Sequence, residues 1–199
     1  MAEMGPLTLE GRMVRLVPLE ERHVDGLTRI ADDPSIWRYL PWSLETRADV
    51  ERWVQRALEG AKSGRLVSFA MIEEATGTVV GTTSFRDIER EHRTAEIGGT
   101  WIGVPWQRTA VNSEAKYLML RYLFDTLGWQ RAWLKTDVLN VRSRRAIERL
   151  GATREGVMRK NMIVQNGRQR DSVLYAIVDD DWPAIRARME AALYPDEGV

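Results

Sequence analysis

The sequence predicts a mixed α/β fold, with one central, mostly antiparallel sheet carrying helices on both faces. Three observations lead there. Strand-like segments at 67–73, 79–87 and 95–104 follow one another as a meander. A strand, a helix and a strand then succeed each other over 95–138, as a parallel crossover requires. Near the C-terminus, Asn166-Gly167 between two extended segments signals a hairpin.

Each element has its own local reason. Residues 12–17 alternate weakly (Met13, Val14, Leu16, Val17) after the Glu10-Gly11 turn, and Pro18 closes this first strand. Residues 23–31 form a short helix stopped by Asp32-Asp33-Pro34. The stretch 36–42 is aromatic, broken by Pro41 and without period. Residues 46–61 form the clearest amphipathic helix. Val50, Trp53, Val54, Ala57, Leu58 and Ala61 share one face, and Thr46 with Asp49 reads as a capping box. The turn 75–77 joins the first two meander strands. Gly98, Gly99 and Gly103 weaken the third, marking a bulge or a close ligand approach. A helix over 114–127, apolar on most sides, ends at Gly128. A strand at 131–138 leads to a helix at 140–150, capped by Asn140 and stopped by Gly151. Extended segments 153–164 and 168–178 and a helix at 182–192 complete the order.

The 199 residues suit one domain, 1–199, with its core over about 10–190. Hydrophobic residues at 44% and charged residues at 29% are a globular balance. A formal net charge of zero provides no global field to recruit nucleic acid or an anionic membrane. With no cysteine, thiolate chemistry and disulfides are excluded. The two histidines, His23 and His92, read as incidental surface or helix residues, and no metal is expected. The chain shows no membrane-length apolar run and no secretory leader, so a cytoplasmic location is expected.

Two charged features suggest a polyanion. Residues 104–114 (Val-Pro-Trp-Gln-Arg-Thr-Ala-Val-Asn-Ser-Glu) leave a glycine-bearing strand, cross a polar loop and open a helix. Such a junction aims unpaired N–H groups and the positive helix end at one spot. Between Asn140 and Lys160, seven basic residues (Arg142, Arg144, Arg145, Arg149, Arg154, Arg159, Lys160) face only two acids. Taken alone, the first reads more readily as a simple connection, since most such junctions bind nothing, and the second is equally a solvated helix face.

At these residues the chain resembles the GNAT acetyltransferase superfamily, in its RimJ/RimL-like branch of ribosomal-protein N-terminal acetyltransferases. Ala95-Glu96-Ile97-Gly98 and Gly103-Val104-Pro105 resemble that family's splayed central strand. Residues 107–112 align with its pyrophosphate loop, and Asn140-Val141-Arg142-Ser143 with Ala146 to Ala152 resembles its N-x-x-S…KLGF signature. Glu155-Gly156, Asn166-Gly167, Arg170-Asp171-Ser172 and Tyr175 follow at family-like spacing. One departure is the absence of glycine at positions 108 and 110, where Arg108 and Ala110 stand.

The resemblance implies acetyl-CoA as co-substrate, a primary amine (protein N-terminus or small molecule) as acceptor, and a possible homodimer. Implied coenzyme contacts fall at Ile102, Val104, Gln107, Arg108, Thr109, Ala110, Val111, Asn112, Asn140, Ser143 and Arg149, with Ile102 near the carbonyl-stabilising N–H. Ser143 would hydrogen-bond the leaving sulfur, and Glu96 is the candidate base. Trp37, Tyr39 and Trp42 would wall the acceptor side. A free α-amino group, with a pKa near 8, needs far less help from a base than a lysine near 10.4. The missing glycines leave a non-catalytic coenzyme-binding module as the alternative.

Overall fold

The structure, a computed structural model, describes residues 7–195. Among these, eight strands form one sheet: β1 (Leu9–Glu10), β2 (Val14–Pro18), β3 (Val67–Glu73), β4 (Val79–Glu89), β5 (Thr94–Ile102), β6 (Arg131–Asp137), β7 (Thr153–Ile163) and β8 (Gln169–Val178). Their order is β1-β2-β3-β4-β5-β6-β8-β7, antiparallel except for β5 beside β6. The expected meander, crossover and terminal hairpin are all present. The helices are α1 (Val24–Ile30), α2 (Arg47–Ala61), α3 (Ala110–Arg121), α4 (Val141–Leu150) and α5 (Trp182–Leu193).

Strand alternation divides the core into two layers. Ile97 on β5, Leu134 on β6 and Tyr175 on β8 pack with Leu118, Ile147 and Trp182 from α3, α4 and α5. On the opposite face Ala70 and Trp101 pack with Leu27 of α1 and Val50 and Val54 of α2. The Thr46–Asp49 capping box forms as expected. No helix among the described residues is long and apolar enough to cross a membrane.

Several expectations need correction. Helix α3 starts at Ala110, four residues before the expected 114, because Thr109 accepts the Val111 N–H at 3.3 Å as an N-cap. It continues into a π-helical turn over Tyr122–Thr126 before Gly128, whose φ is +61°. Glu114 is therefore mid-helix and buried. Its carboxylate accepts the backbone N–H groups of Arg12, Met13 and Val14 at 2.7–2.9 Å and the Tyr194 hydroxyl at 2.8 Å. These bonds hold the entry to β2 and explain why that strand starts at Val14. The two-residue β1 is too short to show any alternation. His23 is not a surface residue. It is buried, with Nδ1 accepting the Glu20 N–H at 3.0 Å, and burial holds its pKa below the ordinary imidazole value. The β7–β8 connection is a 3-10 turn over Gln165–Gly167, with Gly167 at φ +72°.

Candidate active site

Strands β5 and β6 pair only over 94–96 and 131–133, then diverge. A bulge causes the divergence. The β4–β5 register shifts between Thr82 and Ser84, and Gly99 takes φ +63°, a conformation that disfavours a side chain. Strand β6 stays paired to β8 through Asp137. The gap leaves strand edges without a backbone partner and opens into a cavity of about 660 Å³.

One end of the cavity meets the start of α3. Arg108 precedes it with φ +65°, so position 108 adopts the left-handed turn that glycine favours, without being glycine. Gln107 is fixed from both sides, donating to the Ile102 carbonyl at 2.9 Å and accepting from Arg142 of α4 at 2.5 Å. Arg108, Arg142, Arg149 and Arg188 line this mouth with no acid among them. The expected arginine cluster is thus partly redistributed. Arg154, Arg159 and Lys160 lie on β7 away from the cavity, Arg144 donates to the Val138 carbonyl, and Arg188 arrives from α5. Linear spacing cannot register a residue that comes from a helix forty positions later.

Asn140 caps α4, its Oδ1 accepting the Ser143 N–H at 3.0 Å. The cap turns Ser143 into the cavity, where its hydroxyl has no hydrogen-bond partner among the described residues. Ile102, Gln107, Arg108, Thr109, Ala110, Asn112, Asn140, Ser143 and Arg149 all line the cavity. Val104 and Val111 do not: Val104 is solvent-exposed, and Val111 packs into the core. Of the aromatics, Tyr39 and Trp42 line the cavity. Trp37 does not, because its Nε1 donates to the Ala31 carbonyl at 3.0 Å and its ring packs 5.0 Å from Trp101.

Glu96 lies on the face of β5 opposite α3, 3% exposed, with Oε2 3.0 Å from Lys135 Nζ. Burial raises its pKa; the charges of Lys135 and Arg86 oppose the rise. Its Oε1 folds over Gly98, where a Cβ would overlap it.

Lys116 is a cavity residue that sequence reasoning missed, as it missed Arg86, Lys135, Arg170 and Arg188. It is buried on α3, donating to Thr100 Oγ1 at 2.7 Å and Thr83 Oγ1 at 2.9 Å, hydroxyls themselves 2.8 Å apart. Desolvation pushes its pKa down to about 7, opposed by Glu96. It received no role from the sequence, and no local signal marks a lysine at this α3 position as buried. Among the described residues no group of three or more His, Cys, Asp or Glu side chains could hold a metal.

Residues 13–153 match the family described as acetyltransferase (GNAT) domain, and the chain belongs to that family and is an acyltransferase. It is similar to a GCN5-related N-acetyltransferase from Brucella melitensis, 34% identical with a TM-score of 0.91, over 98% of this chain and 89% of that one. The uncharacterized N-acetyltransferase YoaA of Bacillus subtilis is 27% identical over 180 residues, 88% of this chain and 98% of its own. The ribosomal protein uS5-alanine N-acetyltransferase of Escherichia coli is 25% identical over 78% of this chain and 89% of its own, which supports the RimJ/RimL-like branch.

Proposed function

We propose that this cavity transfers an acetyl group from acetyl-CoA directly to a primary amine. The divergence of β5 from β6 is the observation that carries the reading. Free strand edges pair readily with an extended, amide-bearing arm, and this gap leads to four arginines and the N-terminus of α3. The residues fit a diphosphate-bearing coenzyme with a pantetheine arm. Asn112 Oδ1, buried on α3, has no partner among the described residues, and the pantetheine amides are suitable donors.

Glu96 takes one proton from the incoming ammonium, for which a carboxylate made more basic by burial is suited. The freed nitrogen attacks the thioester carbonyl carbon, and the C–N bond forms as the C–S bond breaks. Ser143 hydrogen-bonds the leaving sulfur and relays to it the nitrogen's surplus proton, so CoA departs as the thiol. Glu96 lies on the face of β5 opposite α3 and Ser143 on α4, so the first deprotonation of the amine and the protonation of the leaving sulfur use separate groups.

Calorimetry with CoA, combined with thiol release on a panel of amines, tests the proposal. Glu96→Gln is expected to lower kcat by about 100-fold or more, in line with general-base contributions, while CoA affinity stays unchanged. Ser143→Ala is expected to lower turnover more than acetyl-CoA affinity. Failure of the wild-type protein to bind CoA at millimolar concentration would remove the reading.

A further inference from the structure

Charge around the cavity is lopsided in a way that the coenzyme does not absorb. The four arginines at the mouth match its phosphates. A second group lies deeper, on the face of the sheet opposite α3. Register and alternation put Arg86 of β4, Glu96 of β5, Lys135 of β6 and Arg170 of β8 on that face, one from each of four neighbouring strands. Each lines the cavity. Lys135 is neutralised by Glu96 at 3.0 Å. Two guanidinium groups are left over.

Arg170 is the sharper case. It is only 5% exposed, yet no carboxylate among the described residues is in ion-pair contact with it. The nearby Asp137 is taken by Arg168. Its Nε donates to Ser172 Oγ at 3.0 Å and Nη1 to the Tyr39 carbonyl at 3.2 Å. Of the five N–H groups on a guanidinium, three are without an acceptor in the described protein. A buried charge left this way is costly unless a ligand completes it. Arg86, directly across from Glu96, lies over Gly99 and makes no hydrogen bond or ion pair with a described residue. Tyr39, Leu40, Trp42 and Met162 provide apolar wall beside these groups.

We propose that the acceptor is a small amine carrying an oxyanion, such as the carboxylate of a free amino acid, with Arg170 and Arg86 binding the oxyanion and Glu96 the amine. The inference rests on the acetyl-transfer reading and narrows its acceptor. The shared chemistry is an acidic oxygen group a few bonds from a primary amine. A phosphate would meet the same donors.

The test compares amino acids with apolar side chains, their amides, aminoethyl phosphate and neutral peptides. Each is measured by calorimetry on the full chain, with and without CoA, and by turnover. The acids are expected to show at least about 10-fold higher kcat/KM than their amides, the scale of a charge-assisted hydrogen bond. Arg170→Gln is expected to raise KM for acids by a similar factor over and above any loss the amides show from freeing the Tyr39 carbonyl, and to be partly rescued by Arg170→Lys. Arg86→Gln, at a half-buried position, gives a second reading if the buried site does not tolerate change. A phosphate preferred over the carboxylates would keep the subsite and reassign its natural ligand. Equal handling of acids and amides, an equal loss for both in Arg170→Gln, or turnover confined to peptides would overturn the inference. Because the acid–amide contrast is also read without CoA, its absence is distinguishable from a failure to bind the coenzyme.

Discussion

Lys116 shows how strongly a single position can be governed by its surroundings. Its Nζ reaches two threonine hydroxyls and no carboxylate among the described residues, in a site where desolvation disfavours the ammonium. With the folded pKa lowered to about 7 from an ordinary 10.5, the unfolded chain binds more protons between those values. Stability therefore rises with pH across that window, by on the order of 1 kcal/mol per pH unit, and is flat below it, where both states are protonated. Urea unfolding of wild type and Lys116→Met from pH 6 to about 9.5 measures this: the wild type should gain on the variant only above pH 7. Parallel curves would mean that Lys116 is charged in the folded protein. Glu114, six-tenths of a turn away from it on α3, is a buried carboxylate of the opposite kind, saturated by three backbone donors and a tyrosine hydroxyl. One groups with the ligand cavity and the other with the structure of β2.

At the scale of the element, β5 decides the site. Its bulge at Gly98-Gly99 pulls the strand from β6 and makes room above its backbone for the Glu96 carboxylate and the Arg86 guanidinium. Gly98→Ala is expected to displace Glu96, because the new Cβ overlaps Oε1. Turnover should then fall by about 10-fold or more, as for a misplaced catalytic group, while CoA affinity and the circular-dichroism spectrum are retained. Unchanged turnover would separate Glu96 from the chemistry. The β5 glycines were legible in the sequence as a bulge or a ligand approach, and here they are both a bulge and a space for side chains. The start of α3 was less legible, since threonine and asparagine suit a loop as well as a first helical turn, and Thr109, whose side chain caps the helix, was not recognised as its cap.

Across the whole molecule, two distant segments of the chain are joined at the Tyr39–Trp42 wall of the cavity. Gln165, in the β7–β8 turn, donates to the carbonyls of Trp42 at 2.7 Å, Trp37 at 3.0 Å and Leu40 at 3.3 Å. Arg170 adds the Tyr39 carbonyl. The aromatic stretch has no regular structure of its own, so these bonds set where Tyr39 and Trp42 stand. Gln165→Ala should raise KM for the amine about 10-fold by freeing this segment, with the Kd for CoA unchanged, since nothing at the arginine mouth is touched. Steady-state kinetics beside CoA calorimetry would reveal it, and an equal loss in both would show that the two ends of the cavity are not independent.

The sequence by itself determined the strand and helix order, the caps at Thr46 and Asn140, the glycine-marked strand, and the loop and helix that line one end of the cavity. These are local matters of period, capping and turn chemistry, carried by residues within a few positions of one another. Only the tertiary structure decided that Trp37 turns inward while Tyr39 and Trp42 turn to the cavity, that Arg188 replaces the β7 cations at the mouth, and that Lys116 and Arg170 are buried beside it. Burial and charge pairing depend on which strands lie side by side, and residues brought together from 16 to 131 positions apart leave no trace in linear spacing.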